Sequence, residues 1–216
     1  KQRNKIQNRG RIMIKNTLNE TLNSVWPMLT IFLVVIISVR IAYILINKEK
    51  FVFYKEFMTL VFVIYALMLF ELVTNRDLGG SGINLIPFKE IMRYDFSSEL
   101  FKYNVIGNLV MFMPFGYFVS NYIKANKIYQ ITILSAIASF TVEFVQLQIG
   151  RAFDIDDVIL NIIGGICGFL IYICLNAIKK HLPGIFQRDI IYNILCVIIT
   201  IAVVYVLFIN KSLGWF

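Results

Sequence analysis

The sequence predicts an all-α, polytopic transmembrane helix bundle of about six spans, and three observations carry that prediction. Charged residues make up 16% of the chain and hydrophobic residues 58%, where an ordinary soluble domain is about a quarter charged. Apolar runs recur at about 20 residues, the length that crosses a hydrocarbon core of about 30 Å. Lys and Arg collect at the ends of those runs, where they meet anionic head groups. The formal charge of +8 at pH 7 is thereby assigned to membrane surfaces, and no nucleic-acid partner is expected.

Residues 1–24 are polar and basic, with Lys1, Arg3, Lys5, Arg9, Arg11 and Lys15, and lack the apolar core of a signal peptide. Ile12, Ile14, Leu18 and Leu22 give weak amphipathic character that fits an interfacial helix or a disordered tail equally well. The first span is expected over about Trp26–Ile46. Pro27 suits its first turn, and Arg40 stands close enough to its end to snorkel. A mixed-charge loop over 47–56 carries Phe51, Phe53 and Tyr54, residues suited to an interface. The second span covers about Phe57–Thr74.

The longest connection, 75–103, opens with a flexible turn from Asp77 to Gly82. Ile83–Ile91 follows, too short to span and too apolar for a plain solvent loop. A re-entrant or interfacial segment satisfies both conditions, because irregular backbone near a membrane needs protein or water around it. A surface helix is expected through Arg93, Asp95, Glu99 and Lys102. The third span, about Asn104–Ile123, sets Asn104 and Asn108 on one face, and Pro114 with Gly116 is expected to bend it. Lys124 and Lys127 mark a short turn. The fourth span is about Ile128–Ile149 and the fifth about Asp157–Ile178, closed by Lys179, Lys180 and His181. The sixth, about Ile190–Asn210, has no charged residue in its interior. The chain divides into a basic segment (1–24), an added helix and loop (25–56), a four-helix core (57–178) and a final loop and helix (179–216). Cys167, Cys174 and Cys196 all fall in apolar helices and read as small buried hydrophobes. The single histidine, His181, excludes a histidine-rich metal site within one chain.

One stretch, Glu143–Gly168, concentrates the polar chemistry. Glu143 and Gln146 are three apart and share a helix face. Asp154, Asp157, Asn161, Gly164 and Gly168 follow at steps of three, four, three and four. That is one stripe of a helix, polar at its start and small at its end. It aims carboxylates at a common point and lets a neighbouring helix pack close. A charge at the centre of a bilayer costs about 2.5 kcal/mol or more on insertion scales, so polar groups here need partners or a function. Glu143, Gln146, Asp157 and Asn161 are expected to face one another, with Asn108 joining from the third span. With six spans, the 75–103 and 150–157 loops fall at the same end of the bundle, and Pro87-Phe88 is expected near the aspartates.

Four blocks occur in order: Asn84-Leu-Ile-Pro87-Phe88; Asn108 through Phe112 and Pro114 to Gly116; Glu143-Phe-Val-Gln146; and Arg151 with Asp154, Asp156, Asp157, Asn161 and Gly164. In this the chain resembles the VanZ-like family of bacterial membrane proteins over roughly residues 60–178. The resemblance implies a multi-pass protein of the bacterial cell membrane, linked through the family's name to teicoplanin (glycopeptide) resistance. It also suggests action on lipid head groups or lipid-linked envelope precursors.

On that reading Glu143 and Asp157 are the candidate catalytic groups, with Glu143 as general base or acid. Arg151 offers a planar fork to a phosphate oxygen. Asn108, Gln146, Asp154, Asp156, Asn161, Pro87 and Phe88 complete the candidate binding set, around a membrane lipid or lipid-linked precursor. Asp154, Asp156 and Asp157 either hold Arg151 or share a divalent cation through oxygen ligands. The competing interpretation is an Arg–Asp network that closes a helix hairpin. Three function classes follow: a membrane enzyme acting on a lipid head group or lipid phosphate, a non-catalytic binder that shields a precursor or a lipophilic antibiotic, and a transporter. Polar groups gathered at helix ends, with no internal symmetry, count against transport.

Overall fold

The structure, a computed structural model, describes residues 27–28, 30–74, 82–95 and 98–212. The interfacial helix expected within 1–24 and most of the turn from Asp77 lie outside the described residues. The described chain is helical apart from its connections, as the composition predicts: α1 (Thr30–Asn47), α2 (Phe53–Thr74), α3 (Glu99–Phe101), α4 (Gly107–Ile123), α5 (Ile128–Gln148), α6 (Ile155–His181) and α7 (Asp189–Ser212). Of these, α1, α2, α5 and α6 are long and apolar enough to cross a membrane.

The third span departs from expectation. It is not one α-helix from Asn104. The single turn α3 passes through a π-helical turn, Lys102–Ile106, before α4 begins. Seventeen residues of α4 then run unbroken through Pro114. The irregularity therefore precedes Asn108 instead of falling at the proline. In the sixth span, the described apolar stretch is Asp189–Ala202.

The chain forms two units. One contains Phe62–Cys174, and the other Leu33–Val61 and the residues from Leu175 onward. In the second unit, Arg40 does more than snorkel. Its guanidinium donates to both carboxylate oxygens of Glu56 at 2.9 Å and to Glu49 at 3.4 Å. The α2 residue Tyr54 donates its backbone N–H to Asn193 of α7 at 2.9 Å.

In the first unit, small residues set the spacing of three helices. α4 buries Asn108, Phe112, Gly116 and Ser120. α5 buries Ile131, Ser135, Ser139, Glu143 and Gln146. α6 presents Asn161, Gly164, Gly165 and Gly168. A Cβ at Gly116 would overlap the Gly165 carbonyl, one at Gly164 the Leu109 carbonyl, and one at Gly168 the Met113 carbonyl. Lipid supplies no hydrophobic drive between helices, so this close backbone approach is what gives them dispersion contact. Tyr65 of α2 donates its hydroxyl to the Met111 carbonyl at 2.8 Å, and its ring packs with Phe62 and Phe118.

The 150–154 turn is fixed by local chemistry. Gly150 adopts φ 84°, and Gly150 N–H and Arg151 N–H donate to the Leu147 and Gln146 carbonyls. This is a Schellman closure with glycine at its left-handed position. Two short strands, β1 (Ile83–Asn84) and β2 (Phe153–Asp154), then pair in parallel, Ile83 with Phe153 and Asn84 with Asp154. The 75–103 and 150–157 connections are thus tied to one another at one end of this unit.

Candidate functional site

Asp156 organises the turn above the helix ends. It is 1% exposed, and its carboxylate accepts the backbone N–H groups of Phe88, Glu90 and Ile91. Those donors belong to a turn that begins with Phe88 in the left-handed region, φ 65°, and ends in the 3₁₀ turn Ile91–Arg93. Asp154 caps α6: its Oδ1 accepts the Asp156 N–H at 2.9 Å, an N-cap arrangement. The same oxygen accepts Asn84 Nδ2 at 3.0 Å. Burial lifts the Asp154 carboxyl above its ordinary value. The bonds from Asp156 N–H and Asn84 oppose that lift, and the charges of Asp156 and Glu90 add to it.

Below this cap, Glu143 is 2% exposed and its Oε2 accepts the Asp154 N–H at 3.0 Å. Gln146 links it to the arginine. In the amide orientation its neighbours require, Gln146 Nε2 donates to Glu143 Oε1 at 3.0 Å and its Oε1 accepts from Arg151 Nη1 at 2.7 Å. Arg151 Nη1 also donates to the Val73 carbonyl at 2.9 Å. Across the hairpin, Asn108 Nδ2 donates to Asp157 Oδ1, and Asn161 Nδ2 donates to Ser139 Oγ at 3.0 Å.

Two spaces open in this network. An inner cavity is bordered by Asn108, Glu143, Gln146, Asp157 and Asn161 with apolar Leu72, Val73, Met111 and Val142. An outer pocket of about 170 Å³ is bordered by Glu90, Tyr94, Asn104, Asn108, Arg151, Asp154, Asp156 and Asp157, with Ile91, Val105 and Leu160. Asn108 and Asp157 border both. The Ile83–Tyr94 segment has two characters. Glu90, Ile91 and Tyr94 face the pocket, while Ile83, Leu85, Ile86, Phe88 and Met92 expose apolar side chains.

A family model described as VanZ/LLP1 matches residues 57–176. The chain belongs to the VanZ/LLP1 family. No curated protein and no solved structure matches it. With its apolar helices, this VanZ-like chain is a membrane protein.

Within the VanZ-like region, the structure brings together Glu143, Gln146, Arg151, Asp154, Asp157, Asn108 and Asn161. Phe88 stands beside them through its backbone, since its ring is half exposed and its N–H is what reaches Asp156; Pro87, which precedes it, is exposed. The shared cation at Asp154, Asp156 and Asp157 does not assemble: among the described residues no three His, Cys, Asp or Glu side chains form a metal-holding group. The physical reason is that each aspartate is turned to a different partner, Asp154 to Asn84, Asp156 to the Phe88–Ile91 amides and Asp157 to Asn108.

Sequence reasoning missed Glu90, Tyr94, the Val73 carbonyl and Ser139. Asn104 carried a signal, its helical spacing from Asn108. Asn84 carried one as well, as part of a family block. The Val73 carbonyl carried none, because a backbone acceptor is the same at every residue.

Proposed function

We propose that this VanZ-like protein is a multi-pass protein of the bacterial cell membrane whose outer pocket engages the head group of a lipid or lipid-linked envelope precursor. Arg151 addresses the phosphate, and Glu143 and Asp157 manage protons behind it. The observation that carries this reading is the outer pocket itself. It sets one guanidinium beside Asn104, Asn108, Tyr94 and Asp157 at the ends of apolar helices. One of its walls is a segment whose other side is apolar and exposed. A head group enters such a pocket while its chains remain in hydrocarbon. Planar guanidinium suits phosphate oxygens. The tie to Gln146 and Val73 orients that guanidinium before any ligand arrives. Reduced sensitivity to teicoplanin follows if the precursor engaged is one that the antibiotic must reach.

A second reading, a binder without chemistry, draws support from Glu143, whose two oxygens each already accept a donor. Glu143→Gln and Arg151→Lys separate the two readings in an expressing bacterial host. Drug sensitivity is scored alongside mass spectrometry of lipids and envelope precursors. An enzyme loses lipid conversion in both variants. A binder keeps its effect in Glu143→Gln and weakens in Arg151→Lys, which retains charge but lacks the fork. If both folded variants match the parent in both readouts, the cluster is structural and the proposal fails.

A further inference from the structure

The inner cavity poses a hydrogen-bonding problem that the pocket chemistry leaves unsolved. Asn161 is 1% exposed, and its Oδ1 has no hydrogen-bond partner. A buried amide oxygen left unpaired is costly, so such a group points to an occupant. The other end of this amide is committed to Ser139. The nearby side-chain amides each spend one N–H on a carboxylate. Asn108 Nδ2 goes to Asp157, and Gln146 Nε2 to Glu143. The cavity therefore presents two carboxylates and an amide oxygen to a space of about 10 Å³, which is the room needed by a single water.

We infer that this cavity binds one water molecule, anchored by Asn161, which links Glu143 to Asp157 and so carries protons between the buried carboxylate and the outer pocket. Asp157 borders both spaces, so a proton passed to it from the water arrives where a head group is proposed to sit. A bare cation fits less well, because N–H donors from Asn108, Gln146 and Asp154 already point at these carboxylates. The charged groups around Glu143 are Asp154, Asp157 and Arg151. α2 and α4 add only Leu72, Val73, Asn108 and Met111 to the cavity wall. Asn161 is on this account a positioning residue, acting through the water it holds.

The inference rests on the proposed proton role of Glu143, but its test uses ligand-free full-length protein in lipid nanodiscs. A structure at water-resolving quality is expected to show one oxygen within hydrogen-bond distance of the Asn161 amide and of Glu143 or Asp157. A dry cavity overturns the site. The infrared signal of the Glu143 side chain is defined by its loss in Glu143→Gln. Its response to a pH jump is expected to slow by about tenfold or more in Val142→Leu, which fills the cavity from an apolar wall and leaves every polar group in place. An unchanged rate in folded Val142→Leu overturns the relay. Asn161→Leu provides the second variant and is expected to slow the same signal, whereas a merely structural Asn161 leaves that rate alone. Head-group binding is measured separately, so its failure leaves the water site standing, and a dry cavity leaves head-group binding standing.

Discussion

Glu143 accepts the backbone N–H of Asp154 at 3.0 Å, so the single carboxylate of α5 holds the residue that caps α6. The turn between them is short, and closing it places Arg151 over Gln146. Glu143→Ala strands the Asp154 N–H and one Gln146 donor. It is expected to cost about 1–3 kcal/mol, seen as a lower unfolding midpoint in detergent. Glu143→Gln retains an acceptor for Asp154 and is expected to lose much less. Equal losses in the two variants would show that this bond does not hold the hairpin.

Asp156 is expected to govern the order of the segment above the pocket. Asp156→Ala removes the acceptor of three backbone donors, on Phe88, Glu90 and Ile91. Limited trypsin digestion reads the result at Lys89 and Arg93. Cleavage there is expected to accelerate strongly in Asp156→Ala and modestly in Asp156→Asn, which keeps one carbonyl acceptor. Cleavage at the parental rate in Asp156→Ala would refute this role.

The glycines separate by what surrounds them. Gly116→Ala and Gly168→Ala drive a methyl group into backbone carbonyls of the facing helix and are expected to abolish a folded, monodisperse product. Gly107→Ala meets only ordinary contact and is expected to fold normally. Gly150→Ala has open space around it but φ 84°, so its cost is conformational, about 1–2 kcal/mol. Size-exclusion profiles and thermal midpoints test this ranking, and a normal profile for Gly116→Ala contradicts the packing argument.

The cap of α6 imposes a pH dependence. Burial raises the Asp154 carboxyl, so the folded protein binds this proton more tightly than the unfolded chain does. The resulting stabilisation is fully present below the unfolded value of about 3.9 and is lost as pH rises through the raised folded value. Asp154→Asn does not titrate and keeps a carbonyl acceptor for the cap. The parent's thermal midpoint is expected to fall relative to that of Asp154→Asn as pH rises across this acidic window, and to run parallel to it elsewhere. A difference that grows in the parent's favour as pH rises contradicts the assignment.

Much of this protein was determined by its sequence alone. Unbroken apolar runs of about 20 residues announce helices because a helix satisfies all its backbone groups within one segment in lipid, whereas barrel strands are shorter and alternate in polarity. The step of three and four through Asp154, Asp157, Asn161, Gly164 and Gly168 announced one helical face; the last four lie on α6, while Asp154 stands just before it and caps it. Family membership was legible in four short blocks. Tertiary structure decided which polar atoms meet. Asp154, Asp156 and Asp157 look alike as neighbours in sequence, yet one caps a helix, one holds a turn and one pairs with Asn108. Helix rotation and the parallel pairing of Asn84 with Asp154 set those assignments, and neither is encoded locally. The partners of Arg151 were hidden for a plainer reason. One of them is the carbonyl of Val73, 78 residues away, and a backbone carbonyl becomes specific only when the fold brings it within reach.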